Sequence, residues 1–182
     1  LYEFILPKFT KTTGIAVRII AVGTGQAIRI ATAGDADVLF VHHKPSEETF
    51  VRKGFGVKRF EVMYNDFVIV GPKTDPAGAH KQKNAATALK AIAGSKSSFT
   101  SRGDDSGTHK KELALWNAAG IDVQRKAGGW YRETGSSMGA TLNTASAMDA
   151  YALSDRGTWL NFNNKGNLII LSEGDRQLLN PY

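Results

Sequence analysis

Two short segments carry the residue types needed to hold an anion. Ser101-Arg102-Gly103-Asp104-Asp105-Ser106-Gly107-Thr108-His109 gathers hydroxyls, a guanidinium and two glycines into one stretch. Arg102 supplies a planar, permanently charged donor fork that matches an oxyanion. Ser106 and Thr108 can donate hydroxyl protons, Gly107 lets its amide come close to a ligand, and Ser106 can also cap the helix that follows. Asp104 is placed to steady the Arg102 guanidinium instead of touching the ligand. The second segment, Val22-Gly23-Thr24-Gly25-Gln26, repeats the layout. Thr24 adds a hydroxyl, Gly25 allows close backbone approach, and free amides at a helix start point at an anion. By itself this segment reads equally as an anion loop or as a tight strand-to-helix turn without a ligand.

Other chemistry finds less support. His42 and His43 are adjacent, but neighbours on a strand point to opposite faces, so one ion cannot use both. His80 and His109 lack a partner at metal-ligand spacing. Asp35 and Asp37 fit a turn and a strand start better than paired acid-base catalysts, and neither Asp66 nor Glu133 has an identifiable partner. The Gly-x-Ser-x-Gly elbow and the phosphate-binding Gly-x4-Gly-Lys-Ser/Thr pattern are both absent. We therefore expect no enzyme, no metal and no cofactor. Trp130, Tyr131 and Arg132 could form a ligand wall, although packing in a core suits the aromatic pair better. Thr144, Ala145 and Ser146 could line a cleft with hydroxyls or form a helix packing face.

The elements that must position these residues alternate in type. Helical spacing of apolar residues covers Tyr2 to Phe9, with Gly14 as a stop. Strands are predicted over Ile15 to Val22 and, with parallel-sheet character, over Asp37 to Val41. A helix from Gln26 to Thr32 lies between them, and Ser46 can cap another running to Val51. Phe60 to Val70 is β-rich and ends at Gly71-Pro72. Beyond it come helices over Asn84 to Ala93 and Ser106 to Ala119 and one starting near Ser137, with strands at Ser98 to Ser101 and Leu168 to Leu171. Such alternation argues for a layered α/β fold, in which ligands bind at the carboxyl ends of strands beside helix starts.

Length and composition set the outer limits. The chain has 182 residues, 42% of them hydrophobic and 22% charged, ordinary for a globular protein, and no apolar run long enough to span a bilayer. It carries 23 basic and 17 acidic residues, for a net charge of +6, which favours encounters with anions. The basic residues are scattered without an aromatic stripe, so nucleic acid is not an expected partner. Cysteine is absent, which suits either cytosol or periplasm.

Arg102 to Thr108 resembles the anion loop of phosphate-binding proteins of ABC importers. The wider pattern is more similar to their tungstate-binding relatives. It includes Ile19 to Ala27, Gly34-Asp35-Ala36-Asp37-Val38, Met63-Tyr64-Asn65-Asp66-Phe67-Val68, Trp130 to Gly135 and Leu142-Asn143-Thr144-Ala145-Ser146. The resemblance implies a type II periplasmic-binding-protein fold, two α/β lobes closing on a ligand cleft. It divides the chain into lobe I (residues 1–65, apparently lacking its first strand), lobe II (66–174) and a return toward lobe I (175–182). It further implies that Thr24 and Gly25, Arg102, Ser106, Gly107 and Thr108, and Thr144, Ala145 and Ser146 contact the oxyanion. The implied role is an extracytoplasmic binding protein for tungstate, with phosphate, molybdate or an oxyanion-sensing role as alternatives. An ABC permease would be its partner, the protein would be a monomer, and its place would be periplasmic or extracellular and membrane-anchored, with the signal segment not present in this chain.

Overall fold

Phe67, Val68, Ile69 and Val70 are almost completely removed from solvent, and they form the middle of the molecule. A strand so apolar on both faces must be covered on both faces. In the computed structural model, which describes residues 2–123 and 128–181, it is. The chain runs α1 (Tyr2–Thr13), α2 (Thr24–Thr32), α3 (Lys44–Arg52), β1 (Tyr64–Pro72), α4 (Ala85–Gly94), β2 (Phe99–Ser101), α5 (Gly107–Ala118) and β3 (Tyr131–Glu133). It continues through α6 (Met138–Ala147), β4 (Tyr151–Asp155), α7 (Arg156–Asn161), β5 (Leu168–Ser172) and β6 (Leu179–Pro181).

The strands form one mixed sheet in the order β3-β2-β4-β1-β5. β2 is parallel to β3 and β4, while β1 is antiparallel to β4 and β5. The first residues of β1, Tyr64 to Asp66, pair instead with β6. Alternation along the central strands divides the core in two. Phe67 and Ile69 of β1 join Tyr151 and Leu153 of β4 and the apolar sides of α4 and α5, including Leu89, Ile92, Leu115 and Trp116. Val68, Val70 and Ala152 face the other way, onto Met138, Leu142 and Ala145 of α6 and Trp159 of α7. Three layers, helix on sheet on helix, result.

Local signals fix several helix starts. Asn84 and Thr87 form a reciprocal capping box on α4, with Thr87 N–H donating to Asn84 Oδ1 at 2.8 Å. α3 begins earlier than its Ser46 suggested, because Pro45 suits a first helical turn, and Ser46 instead bonds His43 Nδ1 at 2.6 Å.

The expected strands at 15–22 and 37–41 are not formed. Neither stretch joins a ladder, and a strand without a neighbour has no partner for its amides and carbonyls. Most of their apolar residues accordingly lie open, from Ile15 and Ile20 to Val38, which is 82% exposed, whereas Val41 is buried. Residues 60–63 behave alike, so β1 starts at Tyr64.

Candidate anion-binding site

β2 ends at Ser101 and delivers Arg102 to its carboxyl end, where the loop to α5 begins. Two residues of that loop have left-handed backbones, Gly103 (φ 59) and Asp105 (φ 57), and together they fold it tightly over the start of the helix. Ser106 caps α5, its Oγ accepting from His109 N–H at 3.2 Å. Asp104 is held at both oxygens: Oδ2 accepts from Arg102 Nη2 at 2.5 Å and Oδ1 from Ser106 N–H at 3.2 Å. Burial pushes its carboxyl up, but the bonds from Ser106 and Arg102 outweigh burial and hold it below the usual carboxylate range. Asp104 is thus an ionised brace for Arg102.

The bracing leaves Arg102 Nε buried with no hydrogen-bond partner. A buried donor left unpaired costs about 1–3 kcal/mol, a cost that an acceptor reaching this nitrogen would remove. Thr24, Ser106, Gly107 and Thr108 are all buried around the same turn of structure.

The Thr24 turn reaches this loop from the first part of the chain. A Cβ on Gly23 would sit 3.9 Å from Ser106 Cα, and one on Gly25 would lie 2.5 Å from Asp105 Oδ2. The starts of α2 and α5 therefore face each other at van der Waals range. Gly107 is similarly enclosed, since a Cβ there would meet the His42 ring at 2.5 Å. His42 Nδ1 donates to Asn180 Oδ1 on β6 at 2.9 Å, whereas His43 turns away to Ser46.

A third helix start joins these two. Ser136 N–H donates to Arg102 O at 3.2 Å and Thr134 N–H to Ser101 O at 2.9 Å, which brings the head of α6 beside Arg102. Ser137, the residue before α6, does not use its hydroxyl as a cap. Sequence reasoning missed Ser136 and Ser137. The signal was present, because Gly135-Ser136-Ser137-Met138 repeats the glycine, hydroxyl and helix-start layout of the Thr24 turn.

Thr144, Ala145 and Ser146 are not brought to this place, and the expectation for them is corrected. They occupy the last turns of α6, about 10 Å along the axis from its start at 1.5 Å per residue. Ala145 is buried in the core beside Val68 and Leu142, Thr144 Oγ1 donates back to Ala140 O at 3.2 Å, and Ser146 lies against Gly166. Helical periodicity decides this: Ala145 and Leu142 share the face that α6 turns to the sheet.

The remaining candidates are structural. Trp130 and Tyr131 pack on Trp116 with ring centroids 5.7 and 6.2 Å away, and Arg132 Nε donates to Gly129 O on the surface. Asp66 is clamped by Arg156 through two bonds of 2.7 Å. Among the described residues no cluster of three His, Cys, Asp or Glu side chains could hold a metal ion, and no helix is long and apolar enough to cross a membrane.

The chain as a whole has counterparts among known proteins. A family model described as a PBP superfamily domain matches residues 1–182. The tungstate-binding protein TupA of Peptoclostridium acidaminophilum is 48% identical over 184 residues, covering 100% of this chain and 63% of that protein. The structure of the tungstate ABC transporter from Geobacter sulfurreducens matches with a TM-score of 0.86 at 52% identity, over 100% of this chain and 76% of that one. The tungstate-binding protein TupA from Desulfovibrio alaskensis G20 matches with a TM-score of 0.83 at 43% identity, over 100% and 74%. The chain thus spans 63% to 76% of the length of these relatives.

Proposed function

The chain belongs to the PBP superfamily, and on that premise we propose that it captures a tetrahedral oxyanion outside the cytoplasm, with tungstate the favoured ligand, and hands it to an ABC permease. One observation carries the reading: Arg102 Nε is buried and unpaired in a loop that leads into α5 and that the starts of α2 and α6 approach closely. A dianion entering the site must exchange its water for hydrogen bonds, and these donors can replace them without a metal. Donors come from both sides, the Thr24 turn on one and the Arg102 loop with the head of α6 on the other. Ligand therefore favours the closed arrangement to the extent that it binds that arrangement more tightly. The hinge in this reading is the pairing of Tyr64 to Asp66 with β6.

Phosphate is the second reading, and Asp105 is the reason for it. Hydrogen phosphate brings an acid proton that needs an acceptor. Asp104 and Asp66 are committed to arginines, whereas the Asp105 carboxylate stands where the two loops touch, with Lys110 Nζ 3.5 Å away.

Titration calorimetry with tungstate, molybdate, sulfate and phosphate tests the proposal. Tight tungstate binding with weak phosphate is the expected result. Phosphate competing on equal terms transfers the assignment to the second reading, and silence toward all four rejects the oxyanion role.

A further inference from the structure

The loop between β2 and α5 uses its backbone donors unevenly. Gly103 N–H donates to Ser101 Oγ at 3.3 Å, Ser106 N–H to Asp104 Oδ1 at 3.2 Å and His109 N–H to Ser106 Oγ at 3.2 Å. The amides of Gly107 and Thr108 have no acceptor among the described residues, as suits groups left to hold a ligand. Asp105 lies between these two sets, with a left-handed backbone at φ 57 that a side chain opposes. Its amide is held by a side chain from the first turn of the helix. Asp105 N–H donates to ring Nδ1 of His109 at 3.2 Å, and His109 is only 8% exposed.

We propose that His109 is a positioning residue of the anion site, its Nδ1 lone pair holding the Asp105 amide so that the loop presents the amides of Gly107 and Thr108 to the ligand. The inference rests on the oxyanion-binding reading above. A ring nitrogen that accepts from an amide carries no proton, so a neutral His109 must carry its proton on Nε2. Nε2 is buried without a hydrogen-bond partner, and Glu133 Oε1 stands 3.7 Å away, on the side where a carboxylate favours that proton. Glu133 also closes on the loop, since a Cβ on Gly103 would come within 2.6 Å of Glu133 Cβ. A histidine that only filled space would do so in either tautomer, whereas the bond from Asp105 permits one. The ring of His109 grips Asp105 and its backbone N–H grips Ser106, so the loop and the first turn of α5 are fastened at one residue. Without the ring bond the peptide between Asp104 and Asp105 is free to turn over, and the amides that follow it lose their direction.

The test compares tungstate affinity, thermal stability and amide exchange in the protein, in His109→Gln and in His109→Asn. The side-chain oxygen of asparagine can take the place of Nδ1, whereas the polar end of glutamine falls at the place of Nε2. Both variants lose the packing of the ring and should lower the melting temperature by similar amounts. His109→Gln should bind tungstate about fivefold to tenfold more weakly, the loss of one good hydrogen bond, and its Asp105 amide should exchange faster. His109→Asn should recover most of that affinity and keep the Asp105 amide protected. In the parent protein, nitrogen-detected NMR of the ring should find the proton on Nε2. A ring proton on Nδ1, unchanged affinity in His109→Gln, or an asparagine variant that binds as weakly as the glutamine one would each overturn the assignment, the last because affinity would then follow ring packing alone. A parent protein binding neither tungstate nor phosphate overturns the oxyanion reading and this one with it, whereas a binding parent with an unaffected His109→Gln overturns this one alone.

Discussion

The Thr24 turn and the Arg102 loop share a layout, with glycines and hydroxyls leading into a helix, yet what stands behind them differs. The Arg102 loop leaves a buried strand flanked by β3 and β4, is capped by Ser106, and is tied down by Asp104, Thr134 and the Ser101 hydroxyl. The Thr24 turn follows a stretch that joins no ladder, and no side chain caps α2. Residue types at a helix start create donors. The elements behind them decide how accurately those donors are held, and accuracy is what a buried anion requires.

Four measurements would break or sharpen that contrast. The largest effect is expected from the buried carboxyl of Glu112 on α5, the helix that follows the Arg102 loop. Burial pushes the Glu112 carboxyl up to about 7, against pulls from Tyr131, Ser101 and Trp116, while an unfolded glutamate titrates near 4.5. Between these values the folded protein holds a proton that the unfolded chain has lost, so stability is full at the acid end and falls as pH rises through 7. Relative to Glu112→Gln, the parent should lose about 3 kcal/mol across that window in denaturant melts, at no more than about 1.4 kcal/mol per pH unit. Parallel pH profiles in the two proteins would refute this.

Next in size is Arg102→Gln, which removes a charge-assisted bond and should weaken oxyanion binding by about 2 kcal/mol, more than tenfold, with the melting temperature preserved. Gly103→Ala forces a side chain into a left-handed backbone against Glu133 and should cost about 1–2 kcal/mol of stability. Gly25→Ala meets only the outer end of the Asp105 side chain, which is 66% exposed and can swing away. Its cost should stay within about 0.5 kcal/mol, the range of an ordinary surface substitution. A Thr24 turn as intolerant as the Arg102 loop would erase the distinction between them.

Much of this was legible in the sequence where the signal was local. The Arg102 loop, the cap at Ser106 and the helix from Asn84 depend on neighbours a few residues away, and they form where the residue types place them. β3 and β6, at three residues each, are too short to show a period, and β4 is buried on both faces, so it shows no alternation. Ile15 to Val22 shows the opposite failure: a good strand pattern yields no strand without a neighbour to pair with. Thr144 to Ser146 misled because hydroxyls along a helix look alike until its packing face is known, and Glu112 was hidden because only the fold brings Tyr131 to it.

The central strand has a consequence in time. β1 is made early, but Val68 waits for Ser154 and Val70 for Ile170, each more than about eighty residues later. At synthesis rates of about 5–20 residues per second, this apolar and fully buried segment is left without its neighbours for several seconds at least. Closing such distant pairings is also the slow step in reaching a native sheet. Phe67 to Val70 is therefore the segment a newborn chain most needs to keep from sticking to others until β4 and β5 arrive.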